Sequence, residues 1–178
     1  MKQTRSNKGY TLVEMIIVIA IILIVSAMAM VTVTMIQSAK AKDAAIRVDS
    51  EIAEIIASSR GMAYDPADPN KYYALHLYDI DGTYYIRRGY AEKLPTGKYK
   101  FTSNGKNLND DKGYSLTNYV VIDWDAVNKK EDSLPGIVIV YSKSGQCLAG
   151  YGTYSFKKRN QTEVATNYIR QNGTHASK

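Results

Sequence analysis

The chain divides by polarity before any other pattern shows. Between Met15 and Val31 every residue is apolar except Ser26, and neither proline nor glycine interrupts residues 10–60. Roughly 20 helical residues cross about 30 Å of hydrocarbon, so residues 10–34 predict a membrane-spanning helix. From residue 35 the pattern turns amphipathic. Met35, Ala39, Ile46, Ile52, Ala53, Ile55 and Ile56 fall approximately on one side; Lys40, Lys42, Asp43, Arg47, Asp49, Glu51 and Glu54 supply polar faces. Arg60 in the last turn, Gly61 beyond it and Asp65-Pro66 further on mark the end. The expectation is one helix over residues 10–60, about 51 residues and roughly 75 Å long.

Beyond it the periodicity shortens to that of strands. Leu75 to Ile80 and Thr83 to Arg88 flank Asp81-Gly82, a type I′ hairpin pattern that sets Leu77 opposite Ile86 and Tyr78 opposite Tyr85. Lys98 to Ser103 precedes Asn104-Gly105, a second turn pair. Tyr119 to Trp124 and Ile137 to Tyr141 are apolar enough for central strands. Ser142 to Gly145 then turns into Gln146 to Tyr154 as a final hairpin. After Phe156 the sequence is polar, and its end from Asn172 is expected to be mobile. The fold class expected is α+β: a long helix with one antiparallel sheet laid on its outer half. The division expected is a leader over 1–9, a transmembrane and assembly half-helix over 10–34, an amphipathic half over 35–60, and a β-rich head over 61–178.

The residues around the start of the helix carry the most specific chemistry. Lys2, Arg5 and Lys8 precede the apolar run, and basic residues there hold that end in the cytoplasm and direct the rest outward. Glu14 is the odd residue, because a carboxylate is unfavourable inside a bilayer. It either snorkels to the interface at a helix N-terminus, where the macrodipole favours negative charge, or waits for a cation from another subunit. Cleavage after Gly9 would create such a cation, the α-amine of Tyr10. Lys8-Gly9-Tyr10-Thr11-Leu12-Val13-Glu14 and the following run resemble the class III signal of type IV prepilins and type II secretion pseudopilins. The resemblance covers about the first 35 residues. It implies that a membrane-embedded prepilin peptidase cuts after Gly9, that Tyr10 becomes the methylated N-terminal residue, and that Glu14 is the assembly carboxylate. The family most often has phenylalanine where Tyr10 stands. The resemblance also implies a pilin-like fold, and as partners the membrane, the peptidase and other filament subunits. The chain would sit in the cell membrane as a single-pass protein with its head outside, and on the cell surface after assembly.

Ala27-Met28-Ala29 offers a rival, an A-x-A site such as an ordinary secretory signal carries. Against it stand the charge of Glu14 at the head of the apolar region and a helical pattern that continues well past Ala29. Net charge excludes little: of the formal +6, three units belong to the leader, and the remainder predicts no nucleic-acid partner. Cys147 is the only cysteine, so no intramolecular disulfide can form.

No catalytic, cofactor or metal pattern emerges. His76 and His175 are isolated in sequence. Asp79, Asp81 and Gly82 fit a hairpin better than a calcium loop, whose register would need acids at Leu77 and Arg88. Asn109-Asp110-Asp111, Asp123 and Asp125 read as solvated loop acids, and Lys157-Lys158-Arg159 as solvated bases. Gly150-Tyr151-Gly152 reads as a strand or turn. Asn172-Gly173-Thr174 fits a glycosylation sequon. The expected function is therefore structural and not enzymatic: a subunit of a type IV pilus-like filament. The alternatives are a pseudopilin of a secretion or DNA-uptake system, or a membrane-tethered or secreted binding module.

Overall fold

The computed structural model describes residues 10–61, 70–103, 113–130 and 135–178. Asp65-Pro66, Asn104-Gly105 and Asn109-Asp110-Asp111 lie outside them. Among the described residues a single helix, α1 (Leu12–Gly61), is followed by ten strands. The chain separates into two compact units, Met1–Ile36 and Gln37–Lys178.

In the first unit, every described residue from Tyr10 to Ile36 is exposed, including all its large aliphatic side chains. Among the described residues, α1 is the one helix long and apolar enough to cross a membrane. Thr32 and Thr34 turn their hydroxyls back onto the helix, donating to the carbonyls of Met28 and Val31.

The second unit packs α1 against two antiparallel sheets. The first sheet runs β3 (Tyr99–Ser103), β2 (Thr83–Lys93), β1 (Lys71–Ile80), β6 (Ile137–Tyr141) and β7 (Cys147–Ala149), with β4 (Tyr114–Thr117) also paired to β2. The second runs β10 (His175–Ser177), β9 (Glu163–Ile169), β8 (Gly152–Lys158) and β5 (Val120–Ala126). The fold is the expected α+β pilin-like arrangement of a long N-terminal apolar helix and antiparallel sheets. The β1–β2 hairpin has the expected register, with Leu77 opposite Ile86 and Tyr78 opposite Tyr85. Its turn places Asp81 at φ 50 and Gly82 at φ 75, the pair of positive values a type I′ turn needs.

The core lies where α1 meets both sheets. Ala41, Ala44, Ala45, Val48, Ile52, Ile55 and Ile56 bury against Leu75, Leu77, Ile86, Ile137, Ile139, Ile122, Tyr154 and Phe156. This stripe corrects the one expected from sequence, because Met35, Ala39, Ile46 and Ala53 are exposed. Three alanines at the top of the buried face let the sheets approach the helix backbone, so small residues and not the largest ones mark the contact. The other face of the first sheet carries a smaller cluster with Ala74, Tyr99, Phe101, Val138, Val140 and Ala149. With both faces covered, all five residues of β6 are buried, as a central strand requires.

Four other expectations need correction. The head has two sheets, not one. β5 is an edge strand of the second sheet: Val120 and Ile122 point into the core, but among the described residues only β8 pairs with it. Residues 146–154 do not form one hairpin arm. β7 stops at Ala149, and Gly150 (φ +80) and Gly152 (φ +151) carry the chain into the second sheet. A Cβ at Gly150 would sit 2.7 Å from the Ile139 Cα, and one at Gly152 would sit 2.2 Å from the Asp125 carbonyl oxygen. The C-terminal segment is not loose either. It forms β9 and β10, and Thr166 and Lys178 exchange main-chain bonds of 3.0 and 2.8 Å.

Candidate functional site

The start of α1 is built by three hydrogen bonds between Thr11 and Glu14. The Thr11 N–H and hydroxyl donate to Glu14 Oε2 at 2.8 and 3.0 Å, and the Glu14 N–H donates to Thr11 Oγ1 at 3.2 Å. Thr11 is thus the N-cap and Glu14 the third helical residue of a capping box, each satisfying a backbone donor that the first turn leaves open. The Thr-x-x-Glu spacing ahead of an apolar run is the sequence signal for this box. Both accepted bonds end on Oε2, and among the described residues no donor reaches Oε1. Tyr10 lies just ahead of the cap and is 82% exposed. Gly9 lies outside the described residues.

This geometry gives Glu14 two separable capacities. It caps its own helix, and it presents a carboxylate oxygen that no described donor uses, beside the end of the chain that a cut after Gly9 would create. No other charged side chain occurs between Glu14 and Lys40. The rival cleavage site, Ala27-Met28-Ala29, lies in the middle of α1 with its residues exposed.

The remaining candidates of the head fall into structural roles. Glu51, placed on a polar face by the sequence pattern, is buried at 4% exposure. It accepts from Arg47 Nη2 at 2.7 Å and from Arg88 Nε at 2.6 Å, joining α1 to β2. Arg88 also pairs with Glu54. Hydrogen bonds donated to Glu51 and then to Glu54 raise the Arg88 guanidinium above its ordinary value, and the Arg88 bond holds the Glu54 carboxyl below its own. Arg47 also lies 4.0 Å over the Tyr114 ring.

His76 is fully buried against the rings of Tyr78 and Phe101. Its Nδ1 accepts from Arg87 Nε at 3.2 Å, so Nε2 is the protonated nitrogen that donates to the Pro135 carbonyl at 2.6 Å. His175, expected in a polar tail, instead meets Asp49 of α1 at 2.7 Å. Burial pushes the Cys147 thiol up to about 12.

Lys157 pairs with Asp123 at 2.7 Å, and Arg159 donates to the Asn118 carbonyl. Asp79 accepts from the Gly82 N–H at 3.4 Å within the β1–β2 turn. Asn172 closes a turn by accepting from Thr174 N–H and hydroxyl at 3.1 and 2.8 Å. Among the described residues, no three of His, Cys, Asp and Glu lie together as a metal site.

The sequence family described as the prokaryotic N-terminal methylation motif matches residues 4–30. The chain therefore carries the class III signal of type IV prepilins and pseudopilins, the type of substrate that prepilin peptidase processes. No curated protein and no solved structure matches the chain.

Proposed function

We propose that the protein is a structural subunit of a type IV pilus-like filament. Prepilin peptidase cuts between Gly9 and Tyr10 and methylates the new amine. Residues 10–34 hold the subunit in the membrane with its head outside, and later form the filament core. Residues 35–60 and the head, 61–178, build the outer layer. The observation that carries this reading is the exposed apolar half-helix, whose one charge, Glu14, is pre-positioned at its first turn with an oxygen to spare. In lipid that surface is solvated by acyl chains. Outside lipid it is stable only against other copies of itself, and Glu14 Oε1 accepts from the Tyr10 amine of a neighbour.

Glu14→Gln tests the role of the charge without removing the cap, because glutamine serves the capping box as well as glutamate does. The variant should insert, be cleaved and accumulate in the membrane, while filaments recovered by shearing fall at least about ten-fold, since a neighbour's amine then lacks its counter-charge in a low-dielectric contact. Wild-type filament yield from Glu14→Gln would refute the assembly role.

A further inference from the structure

The second unit carries a groove of about 320 Å³ between the flank of α1 and the C-terminal strands. Lys42, Ala45 and Ile46 form one wall, and Val164, Ala165 and Lys178 form the other. Ile46 is 64% exposed, an aliphatic side chain left in solvent on a helix whose other isoleucines beyond residue 40 are buried. The opposite wall is held firm. His175 is tied to Asp49 of α1, and Lys178 is paired with Thr166 through main-chain bonds in both directions.

We infer that this groove seats the apolar half-helix, Leu12–Ile36, of a second copy of the chain. The inference rests on the filament reading above and adds which surface of the head meets a neighbour's helix. Three observations select that occupant. First, Ala39, Ile46 and Ala53 are all exposed and stand seven residues apart, the spacing of a seam that receives another helix. Second, the same seven-residue step runs back through Thr32, Val25 and Val18, so the seam continues in sequence the surface that assembles. Third, the walls are aliphatic and the rim basic, and from Leu12 to Ile36 the only charged side chain is the acidic Glu14. Nothing in that segment repels Lys42 or Lys178, whereas a basic partner would be repelled. A helix lying there removes Ile46 from water and covers part of the neighbour's apolar surface, and both changes favour association.

Cross-linking tests the contact in intact filaments. Two differently tagged full-length chains are co-expressed. One carries Ile46→Cys; the other carries a single cysteine substitution at Val18, Ile21, Ile22 or Val25. Native Cys147 is fully buried and stays silent toward maleimides. A bis-maleimide should join the two tags in sheared filaments at positions that recur with helical period, and should not join them in membrane-retained subunits. In a parallel arm, Ile46→Glu should lower filament yield about ten-fold with cleavage intact, because it places a charge against an aliphatic wall.

Filaments that form normally from Ile46→Glu, with no cross-link to any helix position, would overturn the groove assignment while leaving the filament reading standing. Labelling of Ile46→Cys filaments by a thiol-reactive lipid, with no protein cross-link, would also overturn it and make an acyl chain the occupant. Absence of filaments from the wild-type chain would overturn the filament reading, and this inference with it.

Discussion

Replacing Glu51 with glutamine removes the negative charge that lies between Arg47 and Arg88. The Glu51 side chain is 6% exposed, while those of Arg47 and Arg88 are 41% and 39% exposed. Breaking a fully buried pair costs about 3–5 kcal/mol, because the orphaned charge cannot reach water. Here both guanidinium groups can reach water, and Arg88 keeps Glu54, so the cost should fall to about 1–3 kcal/mol. Glutamine keeps the shape and one acceptor oxygen, so packing should not add to the loss. The assay is urea unfolding of the full-length chain in mild detergent, followed by the fluorescence of Trp124, the only tryptophan. Trp124 packs against the core formed by α1 and both sheets, and so reports on the contact that Glu51 supports. Glu54→Gln serves as the comparison: its side chain is 55% exposed, so its midpoint should fall by less than that of Glu51→Gln. A Glu51→Gln loss below about 0.5 kcal/mol would refute the reasoning, since it would place the pair among ordinary surface ion pairs.

Two further outcomes follow from the same surroundings. Cys147, its thiol pushed up to about 12 by burial, should resist iodoacetamide at pH 8 in the folded chain and react within minutes in urea; fast native labelling, read by mass, would contradict that burial. The Glu54 and Glu163 carboxyls are held below their ordinary values, the first by Arg88 and the second by Ser155 and then Thr166. A lowered folded value means that their stabilisation is whole above the unfolded carboxylate range and is lost as pH falls through the folded one. The thermal midpoint should therefore hold from about pH 6 to 8 and decline below about pH 4; a midpoint that rises on acidification would contradict the assignment.

Legibility from sequence differed by element, for physical reasons. The apolar half of α1 was plain because every position from Met15 to Val31 except Ser26 has one polarity, and so one window suffices to read it. The β1–β2 hairpin was plain because Asp81-Gly82 permits one turn type, and the turn sets the register. The buried face of the outer half-helix was obscured because Ala41, Ala44 and Ala45 carry little hydrophobic signal, whereas exposed Ile46 carries much. The second sheet was hidden for a related reason. β9 turns Asn167 inward, where it donates to the Ala45 carbonyl at 2.8 Å, so the strand reads as polar although it is buried. Glu51 was misplaced because its partner Arg88 is 37 residues away, and no local pattern announces a pair at that separation. At the candidate site the charge of Glu14 is legible within the apolar run, whereas its bonds to Thr11 depend on where the helix begins, and Thr11 is the first residue ahead of it.

The proposed assembly through Glu14 and the apolar half-helix depends on where the mature chain begins. Subunits extracted from membranes and from sheared filaments should be measured by intact mass and by N-terminal fragmentation. The prediction is a chain that starts at Tyr10, carries a methyl group on its amine and retains all of α1. A chain that starts at Met30, after Ala27-Met28-Ala29, would lack both Glu14 and the apolar half-helix, and would contradict the proposal that this protein assembles through them.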